Sequence, residues 1–453
     1  MNNRQADLQS QLTAIMQQLQ LSDAPAGGSV VVYHKGQLIA EASVGYALPN
    51  KAWTKDTLSL NFSTGKGVLV TLIHILVTHK LLDYDQPLAN YWPEFGANGK
   101  QNMTLREVLT HQSGLFNIQA ITDTAEDMLD WTQMLKRVEA MAPQTVANEQ
   151  ATSAYSALVS GWVLGGLIEK VTAKTLNQVI DEYLAEPLGI EGSLYFGVPE
   201  DKLASVATLA KNFEDFESFI KINDESESEE VVTKKRRGKP KLRSDSEQTL
   251  QFYQSLPSYP CWQSVYTQQG VDKAVLNTLD IANLYFDMSS IQMQDFKYAL
   301  VPAGRSGFNY YTADSLMAKI PAANNVASAT ALVKMYAMLA NKGVWQGKRL
   351  ISEEVFDALS KIEVEGRDAI MPAADPHSMQ WRLGYHRVFS RCYNSDDLST
   401  AFGHMGYNGS VAWCDSERQL AMAYVHNYDV VMSTDIRQFA LTEAILQWFD
   451  QQD

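Results

Sequence analysis

The chain has 453 residues, 45% hydrophobic and 20% charged. That is a globular composition, and the length predicts two packed domains or one domain with a large insertion. The formal net charge of −15 repels nucleic acid and anionic membrane surfaces at long range. Only three cysteines occur, Cys261, Cys392 and Cys414, scattered and without a CxxC pair, which argues against a disulfide framework and a structural zinc site. No apolar signal-peptide core follows residues 1–7, and no run reaches the roughly 18 apolar residues of a spanning helix. The expectation is a cytoplasmic protein.

Leu8, Leu12, Ile15, Met16 and Leu19 recur at helical spacing and predict an amphipathic helix over residues 6–20. A valine-rich strand from Ser29 to His34, a Lys35-Gly36 turn and a return strand from Gln37 to Val44 predict a β-hairpin. Val68 to Val77 is apolar nearly all round and predicts a helix buried between layers. Thr104 and Glu107 form a capping box for a further helix, with Gly114 as its C-terminal stop. His111 is assigned to stabilising the turn after that helix. Leu158 to Ile168 is a second apolar helix. Residues 214–247 carry an acidic run and then a basic one, with almost no large apolar side chains. Such a stretch does not bury enough surface to offset its ordering entropy, so it reads as a mobile surface loop, or as a tether for a partner or an anionic ligand. A strand from Ser410 to Cys414, a turn over Asp415 to Arg418, a strand from Leu420 to His426 and an amphipathic helix over 434–449 close the chain. The expected architecture is α+β. Residues 1–60 and 325–453 make an antiparallel sheet flanked by the N- and C-terminal helices. Residues 61–324 form an inserted, mostly helical domain.

Ser63 opens the first buried helix, and Lys66 lies three residues on, on the same face. A serine hydroxyl needs a base to become a nucleophile. A buried lysine serves as one, because desolvation disfavours its ammonium form. The positive end of the helix favours a developing oxyanion. The competing reading is a helix cap plus a surface lysine, and a helix apolar on every side speaks against a surface position. Tyr155 precedes the second apolar helix. It is either a core-edge tyrosine or a phenol that shifts toward phenolate near a protonated lysine and relays a proton. Gly403, Gly406 and Gly409 recur every three residues around His404. They mark a turn, or a backbone that approaches a ligand closely. His74 and His79, five apart on a helix, face different ways and do not suit a shared metal. HExxH, P-loop and GxSxG motifs are absent, and neither metal nor cofactor is expected.

Three elements stand in order: Ser63-Thr64-Gly65-Lys66, Tyr155-Ser156-Ala157 and His404-Met405-Gly406. The pattern resembles the β-lactamase-related serine hydrolases, which include class C β-lactamases, DD-peptidases and family VIII carboxylesterases. Leu109 to Leu115, Leu82 to Pro87 and Pro321 to Asn324 are similar to the family as well. The resemblance runs from about residue 25 to the C-terminus, interrupted by the charged insert. It implies a β-lactamase/transpeptidase-like fold with the site in the crevice between sheet and helical domain. It implies Ser63 as the acylated nucleophile, with Lys66 and Tyr155 sharing the base and acid work. The backbone N–H groups of Ser63 and Tyr407 would form the oxyanion hole. His404, Met405 and Gly406 would line the strand edge along which substrate lies. Penicillin-active members usually carry asparagine at Ala157 and lysine at His404, and a histidine is only partly charged near neutral pH. Both changes weaken recognition of an anionic amide and suit a neutral small-molecule ester. The resemblance therefore points to a carboxylesterase of the family VIII type. The alternatives are a β-lactamase or D-amino-acid peptidase with the same machinery, and a non-catalytic binding or scaffold member.

Overall fold

The computed structural model describes residues 3–20, 26–209, 245–270, 273–304, 307–371, 373–374 and 379–451. Residues 214–244 of the charged insert lie outside the described residues. In chain order, the elements that frame the site are α1 (Asn3–Gln18), β1 (Gly28–His34), β2 (Gln37–Val44), β3 (Ser59–Leu60), α2 (Thr64–Thr78) and α3 (Leu105–Leu109). Then come α4 (Val159–Thr172), β4 (Leu194–Phe196), β5 (Asn325–Ala327), α5 (Ala329–Ala340), β6 (His386–Arg387), β7 (Ala401–Met405), β8 (Val411–Asp415), β9 (Leu420–His426) and α6 (Arg437–Asp450).

Six strands form one antiparallel sheet in the order β6-β7-β8-β9-β1-β2. The N-terminal hairpin and the C-terminal strands meet at β1, where Val31 lies opposite Ala423 on one side and Glu41 on the other. The hairpin turn uses φ of 52° at Lys35 and 72° at Gly36, the two positive values a tight two-residue turn requires. Side chains alternate between faces with period two. Val30, Val32, Met422 and Tyr424 pack with Leu8, Leu12, Phe439 and Ile445 of the terminal helices. Val31, Ala412, Cys414, Ala421 and Ala423 share the other core with α2 and α5. Strands β7, β8 and β9 are buried along their whole length. A sheet covered on both faces reads as apolar runs rather than as a strict alternation. The expected α+β architecture, sheet flanked by terminal helices with a mostly helical middle, is what the chain adopts.

Helix α2 packs against α4, β5 and β7, and every residue from Thr64 to Val77 is buried. Two glycines allow that fit. A Cβ at Gly65 would lie 2.0 Å from Asn325 Cβ, and one at Gly67 would lie 2.1 Å from Tyr336 Oη.

Helix α3 has the capping box expected from Thr104 and Glu107, but it stops well short of Gly114. His111, with φ of 58°, takes the left-handed position. Gln112 N–H donates to Glu107 O at 2.9 Å and His111 N–H to Val108 O at 3.3 Å, which is the Schellman arrangement usually closed by glycine. The reason a histidine stands there lies in the site described next. No helix among the described residues is long and apolar enough to cross a membrane.

Candidate active site

Ser63 immediately precedes α2. The residue before it, Phe62, has φ of 46°, a conformation uncommon outside glycine that costs on the order of 1–2 kcal/mol. Ring contacts with Tyr310, Tyr311 and Tyr407 hold it there. Asn61 N–H also donates to Asn325 O at 2.8 Å. The Ser63 side chain makes no capping hydrogen bond to its own helix, which leaves the hydroxyl available to Lys66.

Lys66 is 3% exposed, so it is no surface lysine. Its Nζ lies 2.8 Å from Ser63 Oγ, 2.7 Å from Ala157 O and 2.7 Å from Ala322 O. Burial holds its pKa well below the ordinary lysine value. A neutral amine has two N–H groups and one lone pair. An amine whose N–H groups bond the two carbonyls would turn its lone pair to Ser63 Oγ, whose hydroxyl also lies 3.4 Å from Ala322 O. The Ala322 carbonyl is fixed by Asn324, whose side chain bonds Ile320 N–H, Ser315 O and Ala318 O. Gly161 of α4 admits this loop, since a Cβ there would meet Ala322 N at 2.4 Å. The Pro321-Ala322-Ala323-Asn324 stretch thus supplies an acceptor to the lysine.

Tyr155 is buried with its hydroxyl hydrogen-bonded to Ser63, and burial pushes the phenol above its ordinary value. It is a protonated donor, where the sequence had suggested a shift toward phenolate. Lys66 Nζ lies 4.9 Å from the ring centroid. Trp381 stacks on the ring at 5.4 Å and 13°. His111 meets it edge-on at 5.0 Å, and its Nδ1 accepts the Ser156 N–H at 3.2 Å. Burial, then the neighbouring Lys66 and His386, lower the His111 pKa to about 3, so it is a neutral acceptor. Buried Asp368 gathers the same loop. It accepts from Ser153 Oγ at 2.6 Å, Tyr155 N–H at 3.2 Å, Met371 N–H at 2.9 Å and Trp381 Nε1 at 3.0 Å.

The turn after β7 carries the third motif. Among the described residues, neither Ser63 N–H nor Tyr407 N–H donates to a protein acceptor. His404 is buried; Nδ1 bonds Met405 O at 3.0 Å, which leaves Nε2 as a lone-pair acceptor without a partner among the described residues. Burial, then His386 and Lys66, drive its pKa well below the usual value. It is uncharged, where a partly charged histidine was expected. Gly403 and Gly406 stand where the backbone packs closely, and Gly409, with φ of 90°, takes the left-handed position of the turn. A Cβ at Gly403 would lie 2.2 Å from Ala412 O, and one at Gly406 would lie 2.4 Å from Asn61 O. Gly406 N–H closes the turn on Ser410 O at 2.7 Å.

Ser63, Tyr155, His404, Met405 and Tyr407 line one narrow pocket; Gly406 does not. Its other walls are Leu300, Met371, Met379, Met432 and His386. These residues, with Asp368 and Trp381, carry no motif and were not singled out in the sequence. A larger open groove beside Arg418 and Asp450 contains none of the candidate residues.

Residues 12–446 match the family model described as Beta-lactamase. The chain belongs to the β-lactamase family. A curated relative, Esterase/beta-lactamase LipL of Mycobacterium tuberculosis, is 30% identical over 408 residues, covering 88% of this chain and 77% of that protein. Two solved structures share the β-lactamase-family fold. A penicillin-binding protein homolog from Caulobacter crescentus superposes with TM-score 0.69 at 24% identity, covering 99% and 98% of the two chains. A family VIII carboxylesterase superposes with TM-score 0.71 at 22% identity, covering 99% and 98%. The family is one of serine hydrolases, and the motifs that carried the resemblance converge here on a single pocket.

Proposed function

We propose that the protein is a carboxylesterase that forms an acyl-enzyme on Ser63 and acts on small esters with a compact apolar acyl group. The observation that carries this reading is the Lys66 amine, buried with two carbonyl acceptors and 2.8 Å from Ser63 Oγ. Lys66 removes the Ser63 proton as Oγ attacks the ester carbonyl. The oxyanion is met by the N–H groups of Ser63 and Tyr407. Protonated Tyr155 gives its proton to the departing alcohol. The new Lys66 ammonium then stabilises the phenolate, and water reverses the sequence to release the acid.

Three features favour an ester over an amide. Ala157 presents no side-chain amide. His404 is uncharged and offers no cation to an anionic substrate. The strand edge beside Ser63 is already engaged, with Met405 N–H on His386 Nε2 at 2.9 Å and Tyr407 O accepting Met432 N–H at 2.8 Å. A peptide-like substrate lying along an edge needs such backbone groups free; an ester does not. The four methionines of the pocket suit apolar acyl groups of variable shape, because methionine is flexible and polarisable.

The name of the Mycobacterium tuberculosis relative carries both activities, so β-lactam hydrolysis on the same serine is the second reading. The test is a side-by-side rate assay on p-nitrophenyl butyrate and nitrocefin, with Ser63→Ala as control. The ester is expected to turn over fast and the mutant not at all. Fast nitrocefin cleavage with the ester untouched would reverse the order.

A further inference from the structure

Cys261 stands in the helix Tyr259–Gln268, and Cys392 lies in the turn beyond β6. They are distant in sequence, yet the fold brings their thiols beside one another. Cys261 Sγ also reaches Arg391 O at 3.2 Å. Both are partly exposed, while Cys414 is buried under the sheet. The Cys392 backbone is held in place: its N–H donates to Ser390 Oγ at 3.1 Å and to buried Glu443 at 3.4 Å. Glu443 also accepts from Ser390 Oγ at 2.7 Å and Tyr285 Oη at 2.8 Å.

We propose that Cys261 and Cys392 form a redox-active dithiol that closes to a disulfide when a peroxide oxidises it. The environment separates the roles of the two sulfurs. The Cys392 thiol bonds the buried Glu443 carboxylate, which holds its proton in place, whereas the Cys261 thiol reaches only a backbone carbonyl and its neighbour's sulfur. Thiolate character selects the sulfur that reacts first. The Cys261 thiolate attacks one peroxide oxygen, the O–O bond breaks, and the departing hydroxide takes a proton to become water. Cys261 is left as a sulfenic acid. Cys392 sulfur then attacks Cys261 sulfur, the S–O bond breaks, and a second water leaves with the Cys392 proton. Two thiols are oxidised and one peroxide is reduced to two waters. The crosslink ties the helix Tyr259–Gln268 to the segment that follows the strand whose His386 lines the Ser63 pocket. The inference does not depend on the nature of the Ser63 substrate.

The test uses the full chain treated with hydrogen peroxide under native conditions, alkylated, and mapped without reduction. The expected result is one linked peptide pair containing Cys261 and Cys392. The free-thiol count after denaturation should fall from three to one and return to three with dithiothreitol. Cys392→Ser should accumulate a Cys261 sulfenic acid trapped by dimedone, which the native sequence should not. A Cys261 driven to sulfinic acid in the native sequence, a link involving Cys414, or equal dimedone trapping with and without Cys392 would overturn the proposal.

Discussion

His111 Nδ1 accepts the Ser156 N–H at 3.2 Å, directly beside Tyr155. The same residue closes helix α3 in a left-handed conformation and sets its ring edge-on to the Tyr155 ring. One residue therefore couples a helix end to the orientation of a phenol. His111→Asn keeps a side-chain acceptor and tolerates the left-handed backbone; His111→Leu has neither property. The leucine variant should lose kcat on the order of 10²-fold, as for a reacting group displaced by about an ångström. The asparagine variant should retain most of it. Steady-state kinetics on p-nitrophenyl butyrate separate the two, and equal loss in both would remove the hydrogen bond from the account.

Trp381 acts on Tyr155 from the opposite side, by stacking and by its Nε1 bond to Asp368. Trp381→Phe preserves a ring and should reduce kcat modestly with KM unchanged. Trp381→Ala opens the wall behind the phenol, and kcat should fall on the order of 10²-fold. An unchanged kcat in the alanine variant would mean that the stack is only structural.

The pH dependence follows from two burial effects. The active form has Lys66 neutral and Tyr155 protonated. Activity should rise with pH through a Lys66 ionisation well below the ordinary lysine value and fall only above the ordinary tyrosine value. Lys66→Arg keeps the charge but removes the base, since guanidinium does not deprotonate in this range. That variant should be inactive at every pH. A kcat/KM profile with its ascending limb at the normal lysine pKa would contradict a desolvated base.

Stability should fall on acidification. His74, His111, His386 and His426 are buried, chiefly desolvated, and lowered from 6.5 to about 3, 3, 4 and 4. Between those values and 6.5 the unfolded chain binds more protons than the folded one, so stability is lost as pH falls through that window. One such histidine represents on the order of 2 kcal/mol at pH 5. Buried Glu443, whose pKa is raised by desolvation, works in the other direction. Urea midpoints at pH 7 and pH 5 should differ clearly, with the lower midpoint at pH 5. Equal midpoints would contradict neutral buried histidines.

Pocket size should set acyl preference. Met379 is 1% exposed and lines the pocket beside Ser63. Met379→Ala should cost about 2–5 kcal/mol of stability while raising kcat/KM on octanoyl relative to butyryl esters. An unchanged chain-length profile in a folded variant would place the acyl group elsewhere.

Much of this was legible because it is local. The Ser63–Lys66 spacing, the all-round apolar α2, the Thr104 capping box and the period-two hairpin each follow from a few adjacent residues. The parts that were not legible depend on residues brought together from far apart. The Ala157 and Ala322 carbonyls are backbone groups and leave no side-chain signal. Asp368 and Trp381 reach Tyr155 from a stretch with irregular structure, and His386 reaches His404 from the two-residue strand β6; none of them stands in a motif. The charge states of Tyr155 and His404 are products of burial, which the sequence does not reveal at those positions. Gly114 misled as a helix stop because a histidine held by tertiary contacts took the left-handed position instead.

The most direct test of the central claim is mass spectrometry of the protein after reaction with a p-nitrophenyl alkylphosphonate. The account predicts one adduct per chain, on the peptide containing Ser63, absent in Ser63→Ala and much slower to form in Lys66→Ala. An adduct on another residue, or ester hydrolysis that persists in Ser63→Ala, would contradict it.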